Sequence, residues 1–503
     1  MELQFSFSLI AFVVLLIFFL FYSVKLLKRS KRLPGPWKLP LIGSVHHFAI
    51  PHLSGTLPHH SLRNLARKYG ALMHLQLGEN STIVVSSYQL AEEVLRTRDP
   101  AFANRQEVLA AKIMTYNYVD IVFSPYGKYW RQMRTSSTLG LLSRQKVHYF
   151  RSIRQDEVSR LIQSIKSSLD SPINLTKKIF SLTNDITFRA AFGKRCENKD
   201  ALIPLIEEAI ELSGGLDVSD LFPSLKVLHF LSRKRPKLQR LHLEMNEILE
   251  NIIDEHEEYL ESSEGGDGEA GEEDLVDELL GLKQRGDLQF PMTNNNIKAV
   301  ILDIFFAGTE TSSATVEWAM SEMVRNRRVM EKAQAELRQA LKGKKSIDES
   351  HIQGLEYLKR VIKETLRLHP PVPLLLRECR EQTEINGYLI PIKTEVIVNA
   401  WAIGRDPGYW KDAESFSPER FDNSSFDFTV NKHKYVPFGA GKRMCPGIFF
   451  GLANIELPLA QLLYHFDWKL RAGKPEDLDM TETFGAATRR RSNLHLIPTR
   501  YFS

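Results

Sequence analysis

The stretch that most constrains this chain is Phe438-Gly439-Ala440-Gly441-Lys442-Arg443-Met444-Cys445-Pro446-Gly447. Pro446 lacks an N–H and suits the first position of a helix. Beyond it Ile448, Leu452, Ile455, Leu459, Leu462 and Phe466 recur at spacings of four and three, an apolar helical stripe. Cys445 is therefore expected at a helix N-terminus, where free N–H groups and the macrodipole favour an anion and lower a thiol pKa. Arg443 adds a cation able to bind a carboxylate in a fork. Gly441 and Gly447 let backbone approach a partner closely or adopt positive φ. A lone cysteine is ordinarily a small buried hydrophobe, and that reading competes with a thiolate loop here. A phosphate loop around Gly441-Lys442 is excluded: Val436 stands where the earlier Gly is required, and Arg443 replaces the Ser or Thr.

Every fixed position of Phe-x-x-Gly-x-Arg-x-Cys-x-Gly is matched, and on these residues the chain resembles the cytochrome P-450 family of haem-thiolate monooxygenases. The resemblance implies a mainly α fold with small β-sheets, a triangular helical domain around haem b. It makes Cys445 the axial iron ligand, with Phe438, Arg443 and Gly447 shaping the cofactor pocket. A thiolate in that position favours O–O cleavage.

Length alone, 503 residues, would allow two to four domains, whereas the family implies one large domain around the haem. The formal net charge of +5 makes no case for nucleic acid. The three cysteines, Cys196, Cys379 and Cys445, are too few and too scattered for a disulfide framework and suit a reducing compartment.

Residues Phe5 to Val24 carry no charge, and about 20 residues at a rise of about 1.5 Å cross a bilayer core. A cleaved signal peptide would have a basic start and a shorter apolar run. Here Glu2 precedes the run, and Lys25, Lys28, Arg29, Lys31 and Arg32 follow it, which places that side in the cytoplasm. The expected organisation is a transmembrane anchor over 1–25, a basic, proline-rich linker over 26–44 and the haem domain over 45–503. The expected location is the endoplasmic reticulum membrane, single-pass, with the catalytic domain in the cytosol. The sequons at Asn80, Asn174 and Asn423 would then stay unglycosylated. Leu33-Pro34-Gly35-Pro36 reads as a stiff elbow between anchor and body. Leu72 to Leu77 and Ser81 to Val85 read as a hairpin. His46, His47, His59 and His60 lie among Pro and Ser without metal-ligand spacing and read as loop histidines. Residues 262–274, rich in Gly, Glu, Asp and Ser, read as a loop.

Ile297 to Trp318 reads as one long helix, apolar nearly all round and hence in the core. In its middle, Ala307-Gly308-Thr309-Glu310-Thr311-Ser312 should weaken or bend it. These residues are similar to the family's oxygen-side helix. The similarity implies that Thr311 holds water by hydrogen bond and Glu310 feeds protons, the two acting as the catalytic pair. Trp130 and Arg134, four apart on one helix face, resemble the family's haem-propionate contact, as does Arg377. Glu364 and Arg367, read alone, are a trivial surface pair. The family makes them a buried structural pair joined by Arg420 of Pro418-Glu419-Arg420-Phe421.

Pro371 to Leu376, parts of Val108 to Val122, and Phe484 to Ala487 match the family's substrate-contact regions, and their apolar character points to a lipophilic substrate. The elbow, the Trp130 segment and Asn399 to Pro407 resemble the plant microsomal clan that oxidises terpenoids and alkaloids. The resemblance implies a monooxygenase inserting one O2-derived oxygen into a terpenoid, or alternatively an indole or other alkaloid. Its electrons would come from NADPH through a membrane-bound NADPH–cytochrome reductase, with a cytochrome b-type donor as a second source. A haem isomerase or dehydratase and a non-catalytic haem sensor are the rivals. Both lack a use for Glu310 and Thr311.

Overall fold

The computed structural model describes residues 33–48, 55–193, 198–215, 217–225, 232–263, 274–286, 288–344, 347–422, 435–471, 473–485 and 487–501. The apolar run Phe5 to Val24, Cys196, Asn423 and most of the acidic loop lie outside them. Among the described residues no helix is long and apolar enough to cross a membrane.

Helix α1, Pro58–Tyr69, starts with Pro58 in its first turn. The loop histidines expected there are therefore helical: tertiary packing overrides the Pro- and Ser-rich composition that signalled a loop. His46 and His47 likewise stand in a short helical turn. Strands β1, Leu72–Leu77, and β2, Asn80–Val85, form the expected antiparallel hairpin, with Leu72 opposite Val85 and Leu77 opposite Asn80. Helix α2 covers Lys128–Gly140 and α3 covers Leu175–Phe192.

Helix α4 runs uninterrupted over Asn294–Arg325, longer than its apolar core signalled. The hydroxyls that should weaken it are bonded within it: Thr311 Oγ1 donates to Ala307 O (2.6 Å) and Thr315 Oγ1 to Thr311 O (2.8 Å). Such back-bonding gives these two hydroxyls a partner without breaking the ladder, while Thr309 Oγ1 and Ser312 Oγ are buried without one. Phe305 of α4 stacks on Phe192 of α3, ring centroids 5.5 Å apart, so the two helices share the centre of the core.

Helix α5, Glu356–Leu368, leads into β3, Leu374–Glu378. Strand β4, Glu395–Asn399, pairs antiparallel with β3 and parallel with β2, giving a four-stranded sheet in the order β1-β2-β4-β3. Helix α6, Ile448–His465, follows the cysteine loop. A short hairpin of β5, Glu482–Phe484, and β6, Thr488–Arg490, comes near the C-terminus.

The proline elbow is no free linker. The His74 N–H donates to Pro34 O (2.7 Å), and Gly43 bridges to Leu77, so residues from Leu33 onward run along the free edge of β1. A Cβ on Gly35 would lie 2.1 Å from His74 O, which is why a glycine stands there. The folded body thus begins inside the expected 26–44 linker.

Candidate active site

The cysteine loop is shaped by close approach. Gly441 has φ +70°, and a Cβ there would lie 2.1 Å from Leu95 O and 2.5 Å from Asp99. Asp99 accepts from the Lys442 N–H (2.7 Å), and the Cys445 N–H closes the loop onto Phe438 O (3.0 Å). Helix α6 begins at Ile448 with Gly447 as its N-cap, so Cys445 stands just before the helix terminus and meets the cap N–H. The Gly447 N–H and the Arg134 guanidinium oppose burial, which pushes the Cys445 thiol up. Cys445 lies deep in the body yet is half-exposed, as a side chain facing an internal void must be.

The far wall of that void is α4. Residues Ile297 to Phe305 and Ser312 to Val324 are almost wholly buried, whereas Ala307 is exposed and Phe306, Gly308 and Thr311 are half-buried. In a helix threaded through the core, this open face looks into a cavity. A Cβ on Gly308 would touch Phe450 Cε1 at 3.5 Å, and one on Gly451 would sit 3.8 Å from Ser312 Oγ. The hydroxyl-bearing turn of α4 therefore crosses the first turn of α6, beside the Cys445 loop. Glu310 does not share the cavity face with Thr311. It is buried, its Oε1 3.6 Å from Arg489 Nε on β6, and its Oε2 has no hydrogen-bond partner. Burial raises its pKa, while Arg489 and the Ala487 N–H hold it down.

Four arginines ring the same void. Arg377 is buried, with Nη1 on Leu376 O (3.0 Å) and Nη2 on Ala440 O (3.4 Å). Arg134 donates to Met444 O. Arg105 donates to Leu376 O. Arg443 lies over the Trp130 ring at 4.3 Å. Burial lowers all four pKa values, Arg105 to about 10 and Arg443 to about 9, and the guanidiniums also repel one another. Arg105 Nε and Arg377 Nε are buried without an acceptor. Buried guanidiniums with free donors call for anions, and a pair of carboxylates matches the fork of each. The residues therefore fit haem b: Arg105 and Arg377 would hold its propionates and Cys445 its iron.

Two expected contacts are corrected. Arg443 is no carboxylate fork: its three guanidinium nitrogens donate to Ala103, Ile121, Val122 and Ser124 carbonyls and so pin the preceding loop. The Trp130 indole N–H donates to Ile121 O (3.0 Å), so Trp130 serves the cradle by lying under Arg443 and Arg134. Arg105, which takes the place expected for Arg443, carried no local signal in the sequence.

Glu364 and Arg367 are wholly buried and joined by two bonds, 2.7 and 2.8 Å. Arg420 Nε donates to Glu364 Oε1 (3.0 Å), and the Ser417 N–H donates to the same oxygen (2.8 Å). Arg367 also holds the Gly404, Ala413 and Ser415 carbonyls. This knot fixes the chain that leads towards the cysteine loop.

The family profile described as Cytochrome P450 matches residues 33–496. Premnaspirodiene oxygenase of Hyoscyamus muticus is 56% identical over 94% of this chain and 94% of its own length. Germacrene A hydroxylase of Barnadesia spinosa is 53% identical, covering 96% of each. A solved zebra fish cytochrome P450 with abiraterone superposes with a TM-score of 0.75 at 24% identity, over 89% of this chain and all of that one, which shows the fold alone.

Proposed function

This chain belongs to the cytochrome P450 family, and we propose that it is a membrane-anchored terpenoid hydroxylase supplied with electrons by an NADPH-dependent reductase. P450 enzymes carry haem b on a cysteine thiolate and use O2, a redox partner and a lipophilic substrate. The bound haem supplies O2 activation. The chain supplies everything around it.

Cys445 would hold the group, and Arg105, Arg134 and Arg377 would neutralise its carboxylates. Thr311 presents a hydroxyl on the open face of α4 and orders water there. Glu310, set back in the wall, moves protons between Arg489's side and the Thr311 turn. Leu374 and Leu376 of β3 and Phe484 of β5, all half-buried, give the pocket an apolar lining suited to a hydrocarbon skeleton. Glu364, Arg367 and Arg420 retain the fold around the cofactor.

The observation that carries this reading is the juxtaposition of a half-exposed Cys445, the open Ala307–Thr311 face and a ring of arginines with unpaired donors. The terpenoid class rests on what the two relatives are named for. The Phe5 to Val24 run and the basic residues after it support a single-pass anchor in the endoplasmic reticulum with a cytosolic body. The test is expression in microsomes with a reductase, fed sesquiterpenes, diterpenes and indole alkaloids, with products read by mass spectrometry. NADPH-dependent hydroxylation of a sesquiterpene or diterpene is expected. Turnover without NADPH, or of the alkaloids alone, would overturn it.

A further inference from the structure

We propose that His59, His60 and Glu482 form a three-ligand zinc site at the foot of the β5–β6 hairpin, with His369 positioning the carboxylate from its other oxygen. His59 and His60 stand side by side in the first turn of α1, ring centroids 4.4 Å apart. Both Nε2 atoms converge on one oxygen of Glu482, His59 at 2.8 Å and His60 at 3.2 Å. The other oxygen, Oε1, lies 3.6 Å from Nδ1 of His369, the residue that ends α5. The ligand atoms of His59, His60 and Glu482 all lie within 4.8 Å of one another. Zinc bonds of about 2.0–2.1 Å in a tetrahedron set neighbouring ligands about 3.3 Å apart, so small movements of these side chains accommodate the ion.

The hydrogen bonding points the same way. Three imidazoles face one carboxylate, and His59 makes the well-aligned hydrogen bond to it. His60 Nε2 and His369 Nδ1 are buried at the atom level, face Glu482 and lack a hydrogen-bond partner. His369 is held from behind: its Nε2 meets Glu322 Oε1 at 2.8 Å, and its ring stacks on Trp318 at 4.0 Å with planes 5° apart. The Glu322 carboxylate on the far nitrogen fixes the tautomer that His369 presents to Glu482 and so orients the ligating carboxylate. Arg405 interacts with Glu482 and opposes a cation, and the second carboxylate, Glu322, offsets it. The His60 side chain is 35% exposed, which gives an ion a way in from solvent.

The site ties three elements together. Glu482 begins the hairpin that carries Phe484 into the pocket and Arg489 to Glu310, while the histidines belong to α1 and the end of α5. An ion here stiffens the hairpin without touching the haem.

The test uses the full-length haem-loaded protein, carrying no histidine tag, dialysed against equimolar zinc and then against metal-free buffer. Zinc and iron are counted by plasma mass spectrometry, and the zinc environment is read by X-ray absorption at its K-edge. About one zinc per haem is expected, with nitrogen and oxygen ligands at about 2.0 Å and no sulfur. His60→Ala and His369→Gln should each lower the retained zinc at least roughly tenfold, the scale on which such groups act, with the carbon monoxide spectrum unchanged. Wild-type protein that retains no zinc overturns the proposal, as does zinc that both variants keep or a sulfur shell in the absorption spectrum. Should one variant fail to load haem, the other decides.

Discussion

Arg489 Nε on β6 lies 3.6 Å from Glu310 Oε1 on α4, so the hairpin that walls the pocket also holds the acid of the oxygen-side helix. Burial raises the Glu310 carboxyl pKa, and Arg489 offsets part of that rise. Removing the arginine raises the carboxyl pKa further. Arg489→Ala should therefore move the alkaline limb of the kcat/KM profile to higher pH, while Arg489→Lys moves it less. A pH profile from 5.5 to 8.5, taken roughly over the range where a shifted carboxyl titrates, checks it. An unmoved limb contradicts the pairing.

Thr311 and Glu310 occupy different faces of α4, and their losses should differ in kind. Glu310→Gln should slow product formation by about 10²-fold, within the range for a general acid. Thr311→Val should instead leave NADPH consumption near normal and divert it to peroxide, because the hydroxyl that orders water is gone. Peroxide and product measured together per NADPH separate the two.

Glu364, Arg367 and Arg420 form a knot in which Glu364 and Arg367 are wholly buried. Glu364→Gln leaves Arg367 charged and short of its partner, at a cost of about 3–5 kcal/mol. Arg420→Ala should cost less, since its charge sits nearer the surface. Haem content per protein after purification and the thermal midpoint should fall in that order. Equal loss in the two variants would remove Glu364 from the centre of the knot.

Arg105 tests the cradle. Its Nε lacks an acceptor, so Arg105→Leu removes a repelling charge from the apoprotein and a carboxylate partner from the holoprotein. Transfer of haem to apomyoglobin should be faster in the variant by about tenfold, the worth of one charge-assisted bond. Arg443→Lys should act differently: it frees the 103–124 carbonyls and lowers stability before it affects haem transfer.

In the central sheet, burial raises Glu395 from about 4.5 to about 7, and the Thr82 hydroxyl bonds it at 2.9 Å. A folded pKa above the unfolded one gives stability that is full below about 4.5 and is lost as pH rises through about 7. Glu395→Gln should hence raise the stability at pH 8 by up to about 2–3 kcal/mol and leave that at pH 4.5 nearly unchanged. Melting curves at the two pH values check the sign.

Local pattern carried much of this molecule. The β1–β2 hairpin, the long apolar helix, the apolar stripe after Cys445 and the Glu364–Arg367 spacing were all legible, because each is set by neighbours within one or two turns. Long-range partners were not. Arg105 meets the Leu376 carbonyl across 271 residues, and His59 meets Glu482 across 423. Nothing near His59 in the chain announces its carboxylate, so the histidines read as loop residues. The direction of the Trp130 and Arg443 donors was equally hidden, since both depend on how the 103–124 loop folds back.

The central claim is a thiolate from Cys445 on iron beneath the open face of α4. The most direct measurement is the carbon monoxide difference spectrum of the reduced full-length protein, wild type against Cys445→Ser. The account predicts the long-wavelength Soret shift of sulfur ligation in the wild type, and its loss, together with turnover, in the variant. A wild-type complex without that shift, or full turnover by Cys445→Ser, would contradict it.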